Sequence, residues 1–173
     1  MSIKVELVSG RGGTVWPRPG RVFAAARRHT FEQLATAIDE ALARWDPAHP
    51  HLFHLPDGAV VVSPGDDDPP GGAEFSDQVK LSRLALGHQF AYTFDHGDEW
   101  THLCTVGEQL IDPYELIGIQ PPRPLAYWGW GSIPDQYGRV SADTDEGESA
   151  PGSDPGLSDL PPILPWWRPG PSA

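Results

Sequence analysis

Residues 90–106 alternate large apolar side chains with smaller or polar ones, and a chain with that period builds a sheet. Phe90, Tyr92 and Phe94 share one face of a first strand. Trp100, His102 and Cys104 share one face of a second, with Thr101 and Leu103 on the other. Between them lies Asp95-His96-Gly97-Asp98-Glu99, so the segment reads as a hairpin of residues 89–94 and 99–106. Gly97 is expected to supply the positive φ of its turn. Two aspartates, two histidines and a tryptophan fall within residues 95–102, more polar chemistry than chain reversal requires.

The flanking segments supply further elements. Ile3 to Val8 alternates as a strand, and Val22 to Ala26 follows the Pro19-Gly20 turn as another. Phe31, Leu34, Ala35, Ile38, Leu42 and Trp45 form an apolar stripe at helical spacing, which predicts a helix over 31–45. Thr30 and Gln33 stand where a capping box needs them, and Pro47 closes the other end. His51–Leu55 and Ala59–Val62 read as strands joined by Pro56-Asp57-Gly58, and residues 79–86 as a short helix or turn. The expected class is α+β: a mixed, largely antiparallel sheet with one main amphipathic helix packed on it.

Two units are expected: a folded domain over 1–140 and an acidic, Pro/Gly-rich tail over 141–173. The tail ends in a proline-rich segment carrying Trp166 and Trp167, which suggests docking on an apolar surface, the chain's own or a protein partner's. The net charge of −12 opposes phosphate backbones, so direct nucleic-acid binding is not expected. The charge is uneven. Residues 1–31 hold Lys4, Arg11, Arg18, Arg21, Arg27 and Arg28 against Glu6 alone, and these bases are expected to pair with the protein's own carboxylates. No apolar run is long enough to span a membrane, no signal segment follows Met1, and one cysteine builds no disulfide. A cytoplasmic protein is expected.

Asp95, Asp98 and His102 bring carboxylates near an imidazole, the arrangement that proton transfer or a divalent metal uses. The candidate pocket adds Trp100 as a wall and His51 from the neighbouring strand. His49 and His51 face alike on an extended strand whereas His54 faces away, which argues against a three-histidine site. Asp66-Asp67-Asp68 lacks the ligand spacing of a calcium loop. There is no phosphate-binding loop, nucleophile elbow or cysteine-based zinc spacing.

The hairpin resembles a known signature, aromatic-x-aromatic-Asp-x-Gly-Asp-x-Trp-x-His. Tyr92, Phe94, Asp95, Gly97, Asp98, Trp100 and His102 fill it, while His96 stands where an aromatic is usual. This is the signature of the Ri-plasmid ORF-3-like family, also known as insertion-element passenger (TnpR-like) proteins. Trp16–Arg18, Phe31–Leu34 and the stretch from Trp45 to Leu55 extend the resemblance, which covers about residues 3–139. It implies plasmid and mobile-element relatives, not a particular reaction. The residues favour a binding or adaptor module, because no nucleophile accompanies the cluster. The alternative is a small metal-assisted or acid/base hydrolase using Asp95, Asp98 and His102.

Overall fold

The computed structural model describes residues 1–109, 112, 114–115 and 118–139. Alternation does its expected work. The strands are β1 (Ser2–Gly10), β2 (Gly13–Thr14), β3 (Gly20–Ala24), β4 (His51–His54), β5 (Val60–Val62), β6 (Glu74–Phe75), β7 (Gln89–Phe94), β8 (Trp100–Val106) and β9 (Leu125–Trp130). Helix α1 (Phe31–Ala41) lies between β3 and β4, and a 3-10 turn spans Leu81–Arg83. The strands form one sheet in the order β6-β5-β4-β7-β8-β1-β3-β9, with β2 paired to β1. Only β5 and β6 run parallel among these pairs.

Register turns the alternation into rows across the buried face. Phe53 lies opposite Tyr92, Tyr92 opposite His102, and His102 opposite Leu7. A second row runs His51, Phe94, Trp100, and a third runs Phe90, Cys104, Val5. All these side chains are buried. A slip of one residue would turn each of them to the opposite face, so the aromatic pattern holds the register.

The α+β expectation is corrected. Among the described residues strand accounts for 34% and helix for 12%, with a single helix of seven residues or more. At ~1.5 Å per residue an 11-residue helix spans roughly 16 Å. Eight strands side by side at ~4.8 Å span roughly twice that, so one helix cannot form a layer over this sheet. The molecule is a sheet protein into whose core α1 sends one face. Phe31 meets Phe53 and Phe90 edge-on, at ring separations of 5.0 and 6.1 Å. Val79, Leu81, Leu84 and Ile133, from outside the strands and helix, complete the core.

The helix begins as its sequence predicts. Thr30 accepts from the Gln33 amide and the Gln33 side chain accepts from the Thr30 amide. It ends earlier than predicted because Ala43 turns left-handed, with φ 58°. The Arg44 amide then bonds back to the Asp39 carbonyl at 2.7 Å and the Ala43 amide to that of Glu40 at 3.4 Å, a Schellman closure without its usual glycine.

That closure leaves Asp39 buried beneath Tyr92. The Tyr92 hydroxyl donates to the carboxyl, its oxygen 2.8 and 2.9 Å from the two Asp39 oxygens. Burial pushes the Asp39 carboxyl up to about 8, against the opposing pull of Tyr92 and Arg44. The sign is unusual for an aspartate. The folded protein holds a proton that the unfolded chain releases near its ordinary value of 3.8, so this group's contribution to stability is full below that value and is lost as pH rises to about 8. Asp39→Asn, neutral throughout, should flatten that decline. Urea midpoints at pH 5 and pH 8 will differ less in the variant than in the parent; equal differences would show that Asp39 is not the group involved.

Candidate functional site

The hairpin tip is built around Asp95. Its φ is 61° and that of Glu99 is 49°, so these two residues, and not Gly97, take the left-handed conformation expected in this turn. Aspartate tolerates this because its carboxylate bonds locally. Asp95 Oδ1 accepts from the Gly97 amide at 2.8 Å, and the Asp95 carbonyl accepts from the Glu99 amide at 2.8 Å. Asp98 faces the β1–β2 turn. Its carbonyl accepts from the Arg11 amide at 2.6 Å, and its carboxylate lies 3.9 Å from the Arg11 guanidinium.

Trp100 and His102 belong to the core. His102 is fully buried, with Nδ1 3.3 Å from the Tyr92 carbonyl. Burial first, and the Arg44 charge second, bring its imidazole down to about 3, so the ring is neutral. The Arg44 guanidinium lies 3.8 Å from the centre of the Trp100 ring. Arg44 is itself buried, and burial lowers it to about 10 despite the opposing fields of Asp39 and Asp135.

The three residues expected to hold a metal are therefore separately engaged: Asp95 in its turn, Asp98 with Arg11, His102 in the core. Among the described residues no group of three or more His, Cys, Asp or Glu side chains is arranged to hold a metal ion.

What the fold does bring together lies beside the hairpin, on the Pro47–His51 segment. His49 Nδ1 is 3.4 Å from Asp95 Oδ2, and its Nε2 is 3.0 Å from the Tyr137 hydroxyl. Tyr137 donates to Asp46 Oδ2 at 2.8 Å, and burial together with Asp46 pushes its hydroxyl up to about 12. His51 Nε2 lies 3.2 Å from Ser76 Oγ and 3.3 Å from Glu32 Oε2. Ser76 donates to Glu32 at 2.5 Å, and the His51 and Ser76 bonds lower the Glu32 carboxyl despite its partial burial. Two grooves meet at this segment. One, of about 460 Å³, is lined by Glu32, Asp39, Glu40, Arg44 and the two histidines. The other, of about 600 Å³, shares Glu32, His49 and His51 and adds Asp66, Asp67 and Asp68. A larger hollow of about 740 Å³ between Ala73 and Arg83 contains none of these histidines or their partners.

The sequence pattern of the plasmid pRiA4b ORF-3-like protein family matches residues 1–122. The chain belongs to this family. A crystal structure of a protein of unknown function from Methanosarcina mazei Go1 shares the fold, with a TM-score of 0.58 at 23% identity over 74% of this chain and 67% of that one. No curated protein matches the chain. Among the described residues of this ORF-3-like protein, no helix is long and apolar enough to cross a membrane.

Neither polar cluster of the ORF-3-like domain is an assembled nucleophile. A triad acid and its nucleophile engage opposite nitrogens of the imidazole. Here Glu32 and Ser76 both approach Nε2 of His51, and Ser76 is fully buried. Tyr137 has the opposite arrangement around His49, but its raised hydroxyl is a poor nucleophile and already donates to Asp46. The His49 network escaped sequence reasoning because Tyr137 arrives from a Gly/Trp-rich stretch with no periodic signal. The His49-Pro50-His51 spacing was the one visible clue.

His102→Ala should cost stability. Emptying a fully packed site should cost about 2–5 kcal/mol, as large-to-small core changes do. Asp98→Asn, which loses only a long, half-exposed ion pair, should cost under about 1 kcal/mol. Urea denaturation ranks the two; the reverse order would remove His102 from the core.

Proposed function

We propose that this ORF-3-like domain is a binding module of a plasmid or mobile-element system, and that its groove takes a cationic ligand, a basic peptide segment. The observation that carries this reading is the imbalance of charge where the two grooves meet. Glu32, Asp39 and Glu40 border one side and Asp66–Asp68 the other, while neither groove has a lysine and the only arginine is the buried Arg44. Asp39 holds a proton at neutral pH and Glu40 is paired with Arg123, so Glu32 and the three loop aspartates carry the attraction. Because these carboxylates are not grouped to hold a metal among the described residues, an extended array of organic cations fits them better than a single ion.

In this reading the residues of the 95–102 hairpin shape the groove from behind. Asp95 orients His49, and Trp100 seats Arg44 at the groove's inner end. His51 holds Glu32 at the shared wall.

A capped Arg-Gly-Arg-Gly-Arg peptide is a direct probe, with its Gln-for-Arg counterpart as control. Calorimetry should detect the first at low salt and not the second. Glu32→Gln, which keeps the bond from Ser76, should weaken binding about tenfold, or ~1.4 kcal/mol. Added salt should weaken it further. Equal affinity for both peptides, or no effect of Glu32→Gln in a folded protein, would end the proposal.

A further inference from the structure

The opposite end of the sheet carries a different surface. Strand β9 is the last in the order and pairs only with β3, so its outer backbone edge has no partner strand among the described residues. Unprotected edges invite association, and this one bears large apolar groups. Trp128 is 63% exposed, and Leu125 and Tyr127 are exposed beside it. Trp128 and Trp130 stand side by side at 5.4 Å with planes tilted by 44°. Trp130 is fixed: its indole donates to the Arg18 carbonyl at 2.9 Å, and its ring fills the space that a side chain on Gly20 would need. The two indoles, with Arg21, Ala126, Gly129 and Gly131, line a groove of about 370 Å³. Two tilted indoles over a shallow groove are the surface on which proline-rich extended peptides dock.

The charge around this edge is uneven. Of the six N-terminal bases, Lys4 pairs with Glu6 and Arg11 with Asp98. Among the described residues, Arg18, Arg21, Arg27 and Arg28 have no carboxylate within ion-pair distance. Arg21 lies within β3, the partner of β9, and the other three flank it. Arg18 and Arg21 touch Trp130 at one end of the strand pair. Arg27 and Arg28 follow Ala24, which pairs with Leu125, at the other.

The sequence beyond Arg139 is complementary to this surface in both respects. Residues 140–160 hold six acids (Asp143, Asp145, Glu146, Glu148, Asp154 and Asp159) and no base. Residues 161–169 then read Pro-Pro-Ile-Leu-Pro-Trp-Trp-Arg-Pro, with prolines that favour the extended form and two tryptophans to stack. The reach is sufficient. A random chain of about 20 residues has a root-mean-square span of roughly 25 Å. A domain of this size has a radius of gyration of roughly 14 Å.

We propose that the chain's own C-terminal segment, residues 161–169, docks in cis on the Trp128–Trp130 groove, with the acidic stretch before it lying against Arg18, Arg21, Arg27 and Arg28. The segment covers the sheet edge and neutralises the arginines. An external proline-rich ligand would compete with it.

The test uses the full chain. Cys104 is buried, so a nitroxide attached through Ser172→Cys is confined to the tail. Amide signals of residues 126–129 should broaden strongly in the labelled molecule, while those of β5, at the far side of the sheet, stay sharp. A mixture of spin-labelled chains with isotope-labelled, spin-free chains should show no such broadening. Trp128→Ala, at an exposed position, and the double change Trp166→Ala/Trp167→Ala should each abolish it, and Arg18→Glu/Arg28→Glu should reduce it severalfold. Broadening in the mixture would make the contact one between copies and overturn the cis assignment. Absence of broadening, or broadening that survives Trp128→Ala, would overturn the site.

Discussion

A phenol buried in the middle of a sheet must find an acceptor for its hydroxyl, because an unsatisfied polar group there costs about 1–3 kcal/mol. Tyr92 finds Asp39, and the rest of the site follows from that bond. It fixes the rotation of α1 about its own axis, since Asp39 must point at the sheet. Glu32, near the start of the same helix, then meets His51 and Ser76. The Schellman closure after Asp39 turns Arg44 onto Trp100. A tyrosine–aspartate bond, a carboxylate–histidine contact and a cation over an indole thus stitch one short helix to β7, β4 and β8. The helix is a small fraction of the fold, yet it supplies much of the groove's inner wall.

The parts legible in the sequence were those whose signals are local. A period of two is visible within one strand, so β1, β7 and β8 and the buried faces of the hairpin were readable without a partner. The Thr30–Gln33 capping box is local too, and it gave the helix its start. The helix end was not readable, because an alanine at position 43 gives no warning of a left-handed turn. The class was misjudged for a similar reason. Strands β2 and β6 are two residues long, and β9 is hidden in a Tyr-Trp-Gly-Trp stretch with no polar alternation. A count of obvious elements therefore gave the helix too much weight.

The candidate residues have partners that the sequence does not show. Sequence shows that Asp95, Asp98 and His102 are close along the chain, but not which way each side chain faces. Arg11 takes Asp98 from a turn that register alone brings near, and His49 takes Asp95 across the next strand. His102 has the face shared by Tyr92 and Leu7, which is the core. A carboxylate–imidazole cluster in sequence became one buried carboxylate in its turn, one half-exposed carboxylate beside Arg11 and one imidazole inside the core.

Gly10 shows how this arrangement constrains change over evolutionary time. A Cβ at that position would overlap the six-membered ring of Trp100, whose face also carries the Arg44 guanidinium. The residue that allows the indole, and through it the cation, to sit where they do has no side chain. Lineages can exchange exposed carboxylates such as Asp67 and Asp68 one at a time while the fold survives. At Gly10 the smallest possible enlargement displaces the indole, so variation is closed off at a position that no inventory of polar groups would single out.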